Sequence, residues 1–148
     1  MNIKSSLVRG LTLTVLGLSL FSSVFPTETF ASNAVKKTMR YHTCYGTSNL
    51  GLNASKGDVI GTSTTICDRT TSFSMKSISV SGFLTRNDSP IDSESTTKYG
   101  VDKASVTTFY SDRVFRSGTY KNDSTHKAVS GYDSGDSLYW TSSWSRNF

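Results

Sequence analysis

The chain has 148 residues, 35% of them apolar and 18% charged, with two Cys and two Pro; this fits one small domain and excludes two independently folding cores. Sixteen Lys/Arg against eleven Asp/Glu give a net charge of +5, enough for attraction to anionic surfaces but without the dense basic patch of a dedicated nucleic-acid binder.

Residues 1–31 have the three parts of an export signal. Lys4 and Arg9 supply the positive start, Leu11 to Val24 the apolar stretch, and Pro26 ends any helix before the small residues around Ala31. Cleavage is expected after Ala31, with Ala34 the alternative, leaving residues 32–148 as a secreted chain. The apolar stretch is shorter than the roughly 20 residues that cross a bilayer, and no later segment could span one. Outside the reducing cytosol Cys44 and Cys67 are expected to pair as a structural disulfide. A zinc site from His42, Cys44, Cys67 and His126 would match no usual ligand spacing, so neither metal nor cofactor is expected.

Ser and Thr make up 38 of residues 32–148, and they alternate with Phe, Val, Ile, Tyr and Trp. Period-two alternation with aromatic and Thr enrichment predicts half-buried antiparallel strands, and no stretch carries the apolar spacing of a helix. The expected fold is therefore a small all-β antiparallel β-sandwich with one disulfide. In chain order, Tyr41 to Tyr45 and Val59 to Ile66 are strands that the disulfide ties together, as neighbours or across two sheets. Phe73 and Met75 share odd parity while Ile78 and Val80 share even parity, which predicts a bulge near Lys76-Ser77. Arg86 to Lys98, with Pro90 and many Ser and Asp, reads as a long polar loop between two groups of strands. From 103 to 145 four strands in a meander are expected. Ala104, Val106 and Tyr110 alternate in the first, Ser111-Asp112 turns into Arg113 to Lys121, and the clusters Lys121 to Ser124 and Asp133 to Asp136 are further turns. In the last strand Leu138, Trp140 and Trp144 share the core-facing parity and Tyr139 faces out.

Few residues suggest chemistry. Gly135-Asp136-Ser137-Leu138 spells a hydrolase signature, but only ten residues follow it and both His lie upstream, so it reads as a turn opening the last strand. His42 and His126 could serve as acid and base of a small nuclease, and loss of turnover on replacing either would reveal one; ordinary structural histidines are the expected reading. Asp88, Asp92 and Glu94 crowd one polar stretch and do not suggest a glycosidase pair. Asp123, Asp133 and Asp136 lack the spacing of a calcium loop. The chain is thus expected to bind rather than catalyse. Arg113, Phe115, Arg116, Tyr120, Lys121 and Tyr139 are the candidate binding residues, because cations beside aromatic rings suit an anionic bacterial envelope or a wall polymer.

At Thr125-His126-Lys127-Ala128-Val129, with Tyr139-Trp140 and the terminal Phe148, the C-terminal segment resembles the lactococcin-type small secreted bacteriocins. That resemblance implies a compact β-sandwich that inhibits related cells at their envelope. Two other roles remain open: an adhesion or wall-carbohydrate module, and an inhibitor of a secreted enzyme that presents Arg86 to Lys98 as its contact loop.

Overall fold

A computed structural model describes residues 33–53, 56–69, 73–112 and 115–148. The proposed signal segment lies outside the described residues. Eight strands run in the order β1 (Asn33–Met39), β2 (His42–Asn53), β3 (Asp58–Arg69), β4 (Met75–Arg86), β5 (Ser89–Tyr99), β6 (Lys103–Ser111), β7 (Thr119–Ser130) and β8 (Ser137–Asn147). They form two four-stranded antiparallel sheets, β1-β2-β3-β6 and β5-β4-β7-β8. The described residues contain no helix, and so none long and apolar enough to cross a membrane.

The alternation in the sequence is what folds. Along β6, Ala104, Val106 and Thr108 point inward while Lys103, Ser105 and Thr107 face solvent. In β8, Leu138, Trp140 and Trp144 face the interior and Tyr139 is 70% exposed, as their parity predicts. The register of β4 against β7 shifts between Met75 and Ser77, the expected bulge, and brings Met75, Ile78 and Val80 to one inward face. Phe73 does not share that face. It lies ahead of β4, 42% exposed, with its ring edge against Tyr132. Cys44 and Cys67 stand opposite each other in the β2–β3 ladder and are bonded, so the disulfide joins neighbours within one sheet.

Three expectations fail, each for a physical reason. Arg86 to Lys98 is a tight turn and a strand rather than a loop. Asn87 and Asp88 have φ of 47° and 62° and close a two-residue hairpin in which Arg86 faces Ser89. β5 lies at a sheet edge with both faces largely wet, so burial imposes no apolar alternation on it, and an edge accepts Pro90. Lys121 to Ser124 is no turn but the body of β7, with Asn122 and Ser124 buried. The stretch 103–145 holds three strands rather than a four-strand meander. β6 pairs with β3 in the first sheet, and the chain then crosses to β7 in the second. Strand periodicity says which residues point inward and nothing about which strand lies alongside.

The interior explains the misread turn residues. Two apolar clusters occupy its ends. One surrounds the disulfide with Met39, Met75, Ile78, Val80, Ala104, Val106, Ala128 and Trp140. The other is built on Leu50, Val59, Leu84 and Tyr120. Between them lies a buried polar waist of Ser48, Ser63, Thr65, Thr108, Asn122, Ser124, His126 and Ser142. Its hydrogen bonds form a chain with one possible direction, because each hydroxyl has one proton to give. Ser124 Oγ donates to Ser63 Oγ (2.7 Å), so Ser48 must donate to Ser124, Ser142 to Ser48 (2.7 Å), and His126 Nε2 to Ser142 (2.8 Å). Nδ1 is then the acceptor for the Thr65 hydroxyl (2.8 Å). His126 is thereby fixed as the neutral Nε2–H tautomer, and burial lowers its pKa to about 4.

Gly46 makes this arrangement possible. Its Cα lies under the stacked His126 and Trp140 rings, whose centroids are 5.2 Å apart; a Cβ there would fall 2.3 Å from Trp140 Nε1 and 2.5 Å from His126 Cδ2. Gly46→Ala is therefore expected to cost about 1–3 kcal/mol through forced repacking of both rings, read as a lower midpoint in urea unfolding. An unchanged midpoint would show that the rings can withdraw without loss.

Candidate functional site

The predicted binding residues do not form one surface. Tyr120 is fully buried; its hydroxyl donates to the Arg116 carbonyl (2.7 Å), and burial pushes its pKa up, partly offset by Arg86 alongside. Its selection as a surface contact is corrected by that position. Phe115 is half-buried against the same apolar cluster, with its ring stacked 6.4 Å from that of Tyr120. Arg116 is exposed at this end of the sandwich and pairs with Asp112 (2.8 Å). Arg113 lies outside the described residues. Lys121 and Tyr139 stand elsewhere, on the outer face of the second sheet, because odd positions of β7 and β8 point away from the core. Sequence proximity and mixed chemistry grouped these six residues, and the inward–outward alternation of β7 separates Tyr120 from Lys121.

The outer face of β5-β4-β7-β8 carries a depression of about 400 Å³, lined by Ser81, Phe83, Asp123, Thr125, Thr141 and Ser143 with the backbone beneath. The ladder positions these side chains: Ser81 faces Thr125, which faces Thr141, and in the next row Phe83 faces Asp123, which faces Ser143. Each row offers side chains about 4.5–5.5 Å apart across strands. Phe83 is 41% exposed although it sits inside a central strand, an apolar ring held on a floor of hydroxyls. Asp123, in the groove's lining, pairs with Lys121 (2.9 Å), an exposed and weak contact that leaves the carboxylate free to meet a ligand. Two rows along, roughly 13 Å away at strand rise, Lys127 faces Tyr139. The face therefore offers hydroxyl donors and acceptors in ordered rows, one carboxylate, two lysines, and an aromatic ring toward each end.

Sequence reasoning found Lys121 and Tyr139 but passed over Phe83, Ser81, Thr125 and Thr141. A signal was present: Ser79, Ser81 and Phe83 share the parity opposite to Ile78 and Val80, which marks Phe83 as an outward aromatic. The hydroxyls gave no signal of their own, because Ser and Thr line the buried waist as well as this surface.

The other chemical candidates separate. His42 is buried where β2 begins, with Nδ1 at 3.3 Å from the Asp68 carbonyl oxygen, whereas His126 lies in the waist. Asp133 and Asp136 belong to the turn between β7 and β8, where Asp133 Oδ1 accepts the Gly135 N–H (2.8 Å) and Asp136 Oδ2 the Arg40 N–H (3.3 Å). Among the described residues no group of three His, Cys, Asp or Glu side chains could hold a metal ion. Comparison of the chain with protein-family models, with curated proteins and with solved structures finds no match.

Proposed function

We propose that this chain is an exported, non-enzymatic binding protein that engages a glycan of a bacterial cell surface through the outer face of β5-β4-β7-β8. The observation that carries this reading is the groove itself: a central-strand phenyl ring left exposed beside Asp123 and ordered rows of Ser and Thr hydroxyls. A sugar presents an apolar ring face, which stacks on an aromatic, and hydroxyls, which exchange hydrogen bonds with a carboxylate and with side-chain hydroxyls. Among the groove's lining residues Asp123 is the one acid, so the site offers recognition without the paired carboxylates of glycoside hydrolysis. Lys121 and Lys127 add attraction to an anionic wall. The disulfide supports export, because such bonds persist in oxidising surroundings.

The oxidised protein is expected to be retained on purified insoluble wall material and released by soluble wall oligosaccharides. Phe83→Ala is expected to weaken retention by about tenfold, the loss of one good stacking contact, while costing about 1 kcal/mol of stability in strand β4 and leaving the protein folded. Failure of the wild type to bind any wall preparation, or equal binding by the variant, would overturn the proposal. Growth and membrane potential of Gram-positive and Gram-negative cells dosed with the same protein test the toxin role implied by the resemblance to lactococcin-type bacteriocins. Inhibition would make the glycan a targeting receptor; retention without inhibition would make the protein an adhesion module.

A further inference from the structure

A second concavity, about 240 Å³, opens at the end of the sandwich where β4 turns into β5 and β6 crosses to β7, lined by Arg86, Asn87, Ser89, Ile91, Tyr110 and Arg116. It is separate from the groove on the outer face, and its chemistry differs. Arg86 Nη1 donates to the Tyr110 hydroxyl (3.4 Å), which in turn donates to Asp112 Oδ2 (3.2 Å). Among the described residues no carboxylate pairs with Arg86. Arg116 meets Asp112 through Nε (2.8 Å) and is otherwise exposed, and the lining itself holds two guanidinium groups and no acid.

The remaining polar groups of the lining also favour donation. Asn87 turns its Oδ1 to the Thr119 N–H (2.9 Å), which leaves its NH2 group as the part able to meet a ligand. The left-handed backbone of Asn87 and Asp88 fixes this side chain in the tight turn, and Ser89 follows with a hydroxyl. The Tyr110 hydroxyl is the exception: it gives its one proton to Asp112, accepts from Arg86 and has none for a ligand. Ile91 supplies an apolar wall. A ligand suited to this concavity accepts hydrogen bonds on several sides, carries negative charge and brings a small apolar or polyol portion.

We propose that this end pocket binds a phosphate ester, with Arg86 and Arg116 gripping the phosphate oxygens and Asn87 and Ser89 completing the contacts. Guanidinium groups meet phosphate oxygens through parallel N–H bonds, and a phosphate can accept from both arginines at once, where a carboxylate has only two oxygens to share. The volume exceeds that of a lone phosphate and leaves room for a glycerol-sized group beside Ile91.

The test is a titration of the oxidised protein with glycerol 3-phosphate, followed by the arginine Nε–H resonances at constant ionic strength. Saturable shifts at Arg86 and Arg116 with a Kd on the order of millimolar are expected. Arg86→Gln with Arg116→Gln should weaken binding by at least about tenfold, whereas Lys36→Gln with Lys37→Gln, an equal loss of charge on the distant β1 strand, should leave it within about twofold. Co-sedimentation with phosphatidylglycerol vesicles separates the sources of the ester. Retention lost in the arginine pair assigns the site to a lipid headgroup, and glycerol 3-phosphate binding without retention assigns it to a free or wall-borne ester. No saturation by about 50 mM, equal weakening in both paired variants, or acetate binding as tightly as the phosphate ester would overturn the proposal. If the arginine pair fails to fold, the wild-type resonances still decide between binding and none.

Discussion

Breaking the bond between Cys44 and Cys67 is expected to lower stability by about 3.5 kcal/mol and the melting temperature by on the order of 15 °C. The two residues are 23 apart in sequence, and the loop they close contains the whole β2–β3 connection. In the folded chain both are buried, opposite each other in the ladder and packed among Met39, Met75 and Trp140. Reduced thiols would remain in that apolar setting, their sulfurs moved apart to van der Waals contact. The larger effect acts on the unfolded chain, which regains the freedom the cross-link withheld. Thermal unfolding of oxidised and reduced protein, with Cys44→Ala and Cys67→Ala together as a second route to the open chain, measures it. A loss below about 1 kcal/mol would mean that the β2–β3 hairpin persists after unfolding, and the loop-closure account would fail.

Acid is expected to unfold the domain earlier than its surface carboxylates would require. His126 has a pKa of about 4 in the folded protein because it is buried, against 6.5 when unfolded. Above pH 6.5 both states hold it neutral, and it contributes no pH dependence. Between pH 6.5 and about 4 the unfolded state takes up a proton that the folded state refuses, so stability falls by up to about 1.4 kcal/mol per pH unit, reaching about 3 kcal/mol in total. Below about pH 4 the folded state binds the proton as well, and this contribution stops changing. The hydrogen-bond chain supplies the structural reason. Protonating Nδ1 would turn the acceptor facing Thr65 into a donor, and the Thr65 hydroxyl would have to swing its proton away inside the buried waist. Urea midpoints between pH 7.5 and 4 should show this slope in the wild type, and His126→Ala, although less stable throughout, should flatten it. An unchanged slope in that variant would remove His126 as the cause.

Both effects originate in the interior, whose composition also limited how much the sequence revealed. Ala104 to Tyr110 and Leu138 to Trp144 were readable because apolar residues alternate with polar ones there, and the bulge near Lys76-Ser77 was readable because two runs of that alternation disagree by one position. Asn122 and Ser124 were misread as turn formers because they occupy inward positions of the waist, where hydrogen bonds replace apolar packing. β5 was misread for the opposite reason: largely exposed at the sheet edge, it carries no inward face that burial would mark.

The candidate sites divide in the same way. Lys121 and Tyr139 could be found as an exposed cation and an aromatic near the end of the chain, but their grouping with Phe83 and Asp123 depends on β4, β7 and β8 lying side by side. The pocket of Arg86 and Arg116 needs a hairpin turn and a crossover between sheets to meet at one end of the sandwich. From the sequence alone came the all-β class, the two-faced strands and the pairing of Cys44 with Cys67, because period two and cysteine count are local or have one solution. Strand order, the polar waist and both concave surfaces were decided by tertiary structure, since they depend on which ladders form between segments far apart in the chain, and alternation carries no record of the partner.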